Sequence, residues 1–132
     1  MDAPPPLFER AGGAAVVRGV VERFVARCFD DAIIGFLFAG KDRERIVTHE
    51  FGHASAVLGG PAPYDGRPIP ELHRPLRINA GQFRRRLALL RQEIERAGID
   101  PEVRDAWLDA QRRMERRITD GTDCAPPGRP DE

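Results

Sequence analysis

Hydrophobic positions in this chain recur at helical rather than alternating spacing. From Ala14 to Phe29, the residues Val16, Val17, Val20, Val21, Phe24, Val25, Cys28 and Phe29 follow an i, i+3, i+4 pattern, the mark of a helix with one buried face. Gly12-Gly13 separates this helix from a short one expected over Pro6 to Arg10. Asp30-Asp31 then breaks the pattern, and Ile33 to Gly40 reads as a turn or 3₁₀ segment followed by a corner. A second long helix is expected from Lys41 to Leu58, with Asp42 near its start and Gly59-Gly60-Pro61 as its stop. Pro61, Pro63, Pro68, Pro70 and Pro75 make the next stretch mostly loop, with room for one short helix from Ile69 to Arg74. Asn79 is placed to cap a helix from Ala80 to Ala97, where Phe83, Leu87, Leu89, Leu90 and Ile94 lie on or near one stripe. Gly98 ends it, and Pro101 opens a last helix running to about Ile118. The pattern predicts an all-α chain: one domain over 1–120 and a disordered tail over 121–132.

Composition narrows the function classes. A hydrophobic fraction of 41% in 132 residues suits one modest core. Lys+Arg and Asp+Glu both number 21, which argues against a dedicated nucleic-acid binder. No apolar run approaches the roughly 20 residues that span a bilayer, so no membrane association is expected. The start, Met1 to Pro6, lacks the basic and apolar stretches of a signal peptide. A cytoplasmic protein is therefore expected. Cys28 lies in an apolar helical pattern and Cys124 in the polar tail, which disfavours a disulfide between them.

Two places carry candidate chemistry. His49-Glu50-Phe51-Gly52-His53 reads as HExxH, in which two histidines one helical turn apart hold zinc and the glutamate activates water. On a helical wheel Val47, Phe51, Ala54 and Leu58 form an apolar stripe, flanked by Ile46 and Val57. Glu50 falls inside that apolar arc, and His49 and His53 fall at its edge. Either the face meets something other than hydrocarbon, or these groups have buried partners. The longer zinc signature fails, because its glycine position is Ala56 and its last histidine position is Gly59. A third ligand would have to be Glu71 or His73. The second place is His73 itself, in "IPELHRPLRI", four residues after Ile69 and three before Leu76. A histidine on a short element stiffened by prolines and facing apolar residues suits axial ligation of haem iron. Arg84-Arg85-Arg86 and Arg112-Arg113 read as solvated helix faces, and Trp107 and Phe24 as core.

The segments "LFERAGG", "VVERFVARCFDD", "FLFAGKD", "VLGGPAPYDGR", "LHRPLRI" and "GQFRRRLALL", in that order over residues 7 to 118, resemble the truncated haemoglobins of group I. The resemblance implies a globin-like two-over-two helical sandwich around haem b. It implies iron bound by His73, and Phe38, Ile46, Glu50, His53, Ile69, Leu72, Leu76, Ile78 and Phe83 against the haem. Val25, His49, Glu50 and His53 would form the distal pocket, with His49 able to bind the iron from that side. The family's tyrosine, which hydrogen-bonds the bound ligand, is replaced by Val25, its distal glutamine by Glu50, and a phenylalanine by His53. Buried and alone, Glu50 would favour its protonated form; ionised, it would repel anions or pair with His49 or His53. The implied activity is binding or transport of a diatomic gas (O₂, NO or CO), or redox chemistry on one, which would call for a redox partner. The enzyme class stays open among NO dioxygenation, nitrite reduction and peroxidase chemistry. The other readings are a zinc hydrolase on His49, Glu50 and His53, and a haem-free globin-like sensory or interaction module.

Overall fold

The computed structural model describes residues 5–60 and 78–119, the last five of them as backbone only. The expectations for Ile69, Leu72, His73, Leu76, the short helix around them, Tyr64, Glu71 and the tail lie outside the described residues. Those residues form helices α1 (Leu7–Arg10), α2 (Gly13–Asp30), α3 (Arg43–Leu58), α4 (Ala80–Arg96) and α5 (Pro101–Thr119), with a 3₁₀ turn over Gly35–Phe38 between α2 and α3. No strand occurs among the described residues. Helix α2 packs on α3 and α4 on α5, while α2 also meets α4 and α3 meets α5. The result is a two-over-two arrangement with its core at the centre.

Each helix begins and ends where local chemistry requires. The Asp42 carboxylate accepts from Arg45 N–H at 3.2 Å and caps α3, satisfying a donor that the first turn leaves open. Asn79 and Gln82 bond each other's backbone N–H at 2.8 and 2.9 Å, a capping box that fixes the start of α4. At the end of α3, Gly59 takes φ +77°. Gly59 N–H then donates to Ala56 and Gly60 N–H to Ser55 at 3.3 and 2.7 Å, which is a Schellman motif. The second glycine of this pair has a different reason. A Cβ on Gly60 would stand 2.5 Å from the Phe8 ring, so α1 can close on the end of α3 only where no side chain intervenes. Gly12, at φ +117°, turns the chain between α1 and α2.

The core follows the stripes read from the sequence. Val17, Val20, Val21, Phe24, Val25 and Cys28 of α2 are buried, as are Val47, Ala54 and Leu58 of α3. Phe83, Leu87, Leu89, Leu90 and Ile94 of α4 meet Val103, Trp107 and Leu108 of α5 in the same interior. Asp31, where the α2 pattern ends, does more than break a helix. Its carboxylate accepts from the N–H groups of Ile33 and Ile34 at 3.0 and 3.1 Å, and from Arg85 Nη2 at 2.6 Å. That contact ties the corner to α4. Glu93 is 1% exposed on α4, yet sits within 3.4 Å of Arg23, 3.2 Å of Arg27 and 3.0 Å of Arg96. The long arginine stems reach in from the surface to neutralise it.

Candidate functional site

Helix α3 carries polar residues on its interior face as well as on its exposed one. His49 and Glu50 are each 5% exposed, and His53 is half-buried. A carboxylate at such depth needs a cation, and α4 supplies it. Arg86 Nη2 donates to Glu50 Oε2 at 2.7 Å. Arg86 is itself only 2% exposed. Its Nη1 donates to Gln111 Oε1 of α5 at 2.7 Å. Gln111 Nε2 lies 3.5 Å from His53 Nδ1, at the outer limit of a hydrogen bond. The guanidinium carbon stands 5.1 Å from the Phe24 ring centroid and 5.6 Å from that of Phe83. A polar chain from His53 through Gln111 and Arg86 to Glu50 therefore crosses three helices inside aromatic walls. Arginine suits this place because its charge is delocalised, weakly hydrated and able to stack on rings.

Two sequence expectations change here. The three adjacent arginines do not share a solvated face: Arg84 is exposed, Arg85 is half-buried against Asp31, and Arg86 is buried. Arg112 and Arg113 are exposed as expected. Glu50 meets Arg86, a buried cation that the wheel of α3 alone does not reveal. The short contact to a guanidinium is that of a carboxylate acting as acceptor. Arg86 and Gln111 are the residues that sequence reasoning missed. Their signal was periodicity: Arg86 stands three after Phe83 and four before Leu90, on the stripe that α4 buries.

Of the remaining described candidates, Phe83 meets this network, through Arg86. Val25, Phe38, Ile78 and Phe83 are buried, and Ile46 is half-buried. Phe38 stacks on Phe29 at 5.2 Å between centroids, and the Arg43 guanidinium covers the Phe29 ring at 4.8 Å. The Cys28 thiol is pushed up to about 12 by burial, against a smaller downward pull from Arg86. It is protonated at neutral pH and is no thiolate ligand. Of the HExxH residues, Glu50 is engaged by Arg86; among the described residues no three His, Cys, Asp or Glu side chains group around a metal position, and the third-ligand candidates Glu71 and His73 lie outside those residues.

The profile of the family described as bacterial-like globin matches residues 6–120. The chain belongs to the bacterial-like globin family. Among curated proteins this globin is 29% identical over 107 residues to the group 1 truncated hemoglobin GlbN of Mycolicibacterium paratuberculosis, covering 81% of this chain and 79% of that protein. It is 26% identical over 112 residues to GlbN of Nostoc commune, covering 85% and 95%. Among solved structures, the truncated hemoglobin of Tetrahymena pyriformis in the Fe(III) form superposes with a TM-score of 0.78 at 18% identity, over 86% of this chain and 97% of that one. The 2/2 hemoglobin of Synechococcus sp. PCC 7002, in the cyanomet state and with covalently attached heme, gives 0.78 at 21% identity, over 88% and 99%. The fold is thus the two-over-two globin fold, and family membership implies haem binding with a diatomic gas as ligand.

The residues on this side of the globin fit a haem in their chemistry. Its α3 offers imidazole donors, its walls are apolar and aromatic, and its buried thiol is protonated. Among the described residues no helix is long and apolar enough to cross a membrane.

Proposed function

We propose that this globin holds haem b through His73 and binds O₂, NO or CO on the side faced by Val25, His49, Glu50 and His53. The observation that supports it best is the buried imidazole of His49, on the interior face of a helix in a fold shared with truncated haemoglobins. Haem, when bound, supplies the iron at which a diatomic gas coordinates. The chain's own residues set the terms. His73 would contribute the imidazole, in a segment that Pro70 and Pro75 flank. Val25 offers the gas no hydrogen bond. His49 would be the residue able to hold the iron from the side on which a gas binds, and would then compete with the gas for it. The aliphatic and aromatic walls exclude water and slow loss of the cofactor.

Absorption spectra test this reading. The parent protein is expected to take up haem and show a Soret band, and His73→Ala to lose it. Ferrous parent, free of gas, is expected to be six-coordinate and low spin, and His49→Ala five-coordinate and high spin. A purely five-coordinate ferrous parent removes His49 from the sixth position, and a parent that takes up no haem defeats the whole reading. Extraction of all the pigment by acidified butanone identifies haem b. Retention on the polypeptide would instead match the covalent attachment in the Synechococcus protein.

A further inference from the structure

We infer that Arg86 is the specificity-determining residue of the gas-binding side, a buried cation that supplies the hydrogen-bond donor that Val25 lacks. This rests on the haem reading above. Arg86 reaches from α4 onto the interior face of α3, where it bonds Glu50 at 2.7 Å. Phe83, one turn earlier on α4, holds its ring 5.6 Å from the guanidinium. Glu50 and Phe83 are both residues of the proposed haem lining, and Arg86 lies between them.

The fork of N–H donors on Arg86 makes two hydrogen bonds, to Glu50 and Gln111. A guanidinium carries more donors than these two acceptors engage, so donor capacity remains for a third acceptor. The two bonds and the two phenyl rings fix its orientation. A donor so held does not have to reorganise when a ligand arrives. At 2% exposure its charge is little screened by water. Its preference is for ligands that carry negative charge when bound: superoxide-like O₂, cyanide, azide and nitrite. Glu50 is the counter-charge that makes a buried cation tolerable, and Gln111 is a positioning residue that acts through Arg86.

Removing Arg86 alone would take a cation away from the buried Glu50 carboxylate, so the test compares Glu50→Gln with Glu50→Gln/Arg86→Met. Both proteins lack the Glu50 charge and differ only in the cation. Circular dichroism and thermal melting confirm that each is folded before it is read. The readouts are the carbon monoxide stretch of the ferrous CO complex, by infrared spectroscopy, and the dissociation constant of cyanide from the ferric protein. Loss of a cationic donor is expected to raise the CO stretching frequency and to weaken cyanide by about tenfold or more. Two haem-loaded proteins with the same CO stretch and the same cyanide affinity would overturn the assignment of Arg86 and leave the haem reading standing. Failure of the parent itself to take up haem would defeat both.

Discussion

Breaking the buried Glu50–Arg86 pair should cost far more than deleting it. Arg86→Met keeps the length and apolar volume of the side chain but removes the cation 2.7 Å from Glu50 Oε2. Glu50 is then a carboxylate at 5% exposure that has lost this partner, and the Gln111 amide loses its donor. Breaking a buried ion pair by removing one partner costs about 3–5 kcal/mol, a large part of the stability of a domain this size. With a urea m-value of about 2 kcal/mol/M, the midpoint should fall by roughly 2 M. Replacing both charges, as Glu50→Leu/Arg86→Met, removes the desolvation cost along with the attraction and should leave the protein within about 1 kcal/mol of the parent. The assay is urea unfolding followed by helical circular dichroism, with haem occupancy matched because a bound ligand adds its own stabilisation. Refutation takes a simple form. An Arg86→Met protein within about 1 kcal/mol of the parent, or a double variant as unstable as the two single changes summed, would mean that the guanidinium does not neutralise Glu50 in solution.

Three further outcomes follow from the same geometry. The Asp31 carboxyl is drawn from 3.8 to about 2, chiefly by Arg85 and then by the N–H groups of Ile34 and Ile33. Its contribution is therefore complete above the ordinary aspartate range and is lost as pH falls through about 2. Solvent around the 35%-exposed Arg85 side chain limits this to about 1 kcal/mol, and the gap in Tm between the parent and Asp31→Asn should narrow as the medium is acidified through that window. Gly60→Ala would push a methyl to 2.5 Å from the Phe8 ring and should cost about 1–3 kcal/mol, partly recovered by Phe8→Leu; an unchanged Tm would show that α1 does not press on this turn. In a Cys124→Ser background, Cys28 should resist thiol reagents at pH 8 until the protein is unfolded, because burial holds its thiol up at about 12. Rapid labelling of the native state would contradict that.

Much of the architecture was legible in the pattern of residues alone. Apolar spacing of 3.6 marks each buried stripe, and that period is a local property. Caps are local too: Asp42, Asn79, Gly59 and Gly98 act on backbone groups within a turn of themselves, so they could be located without knowing any neighbour. The ordered string of segments from Leu7 to Ile118 identified the globin family before any contact was known. The chemistry of Glu50 was the reverse case. Its position inside an apolar arc was visible as an anomaly, but its resolution lay 36 residues away, on another helix. Read along the chain, Arg86 is the third of three arginines; read on the α4 stripe, it faces the interior, where only the packing of α4 against α2 and α5 decides what it meets. Asp31 and Glu93 teach the same lesson, since each looks like an ordinary surface acid until arginines from other helices close on it. Local periodicity and capping determined where the helices are, because those depend on neighbours in sequence. The pairing of buried charges was decided by tertiary structure, because the cost of desolvating an ion can be met only by a partner that folding brings within hydrogen-bond reach.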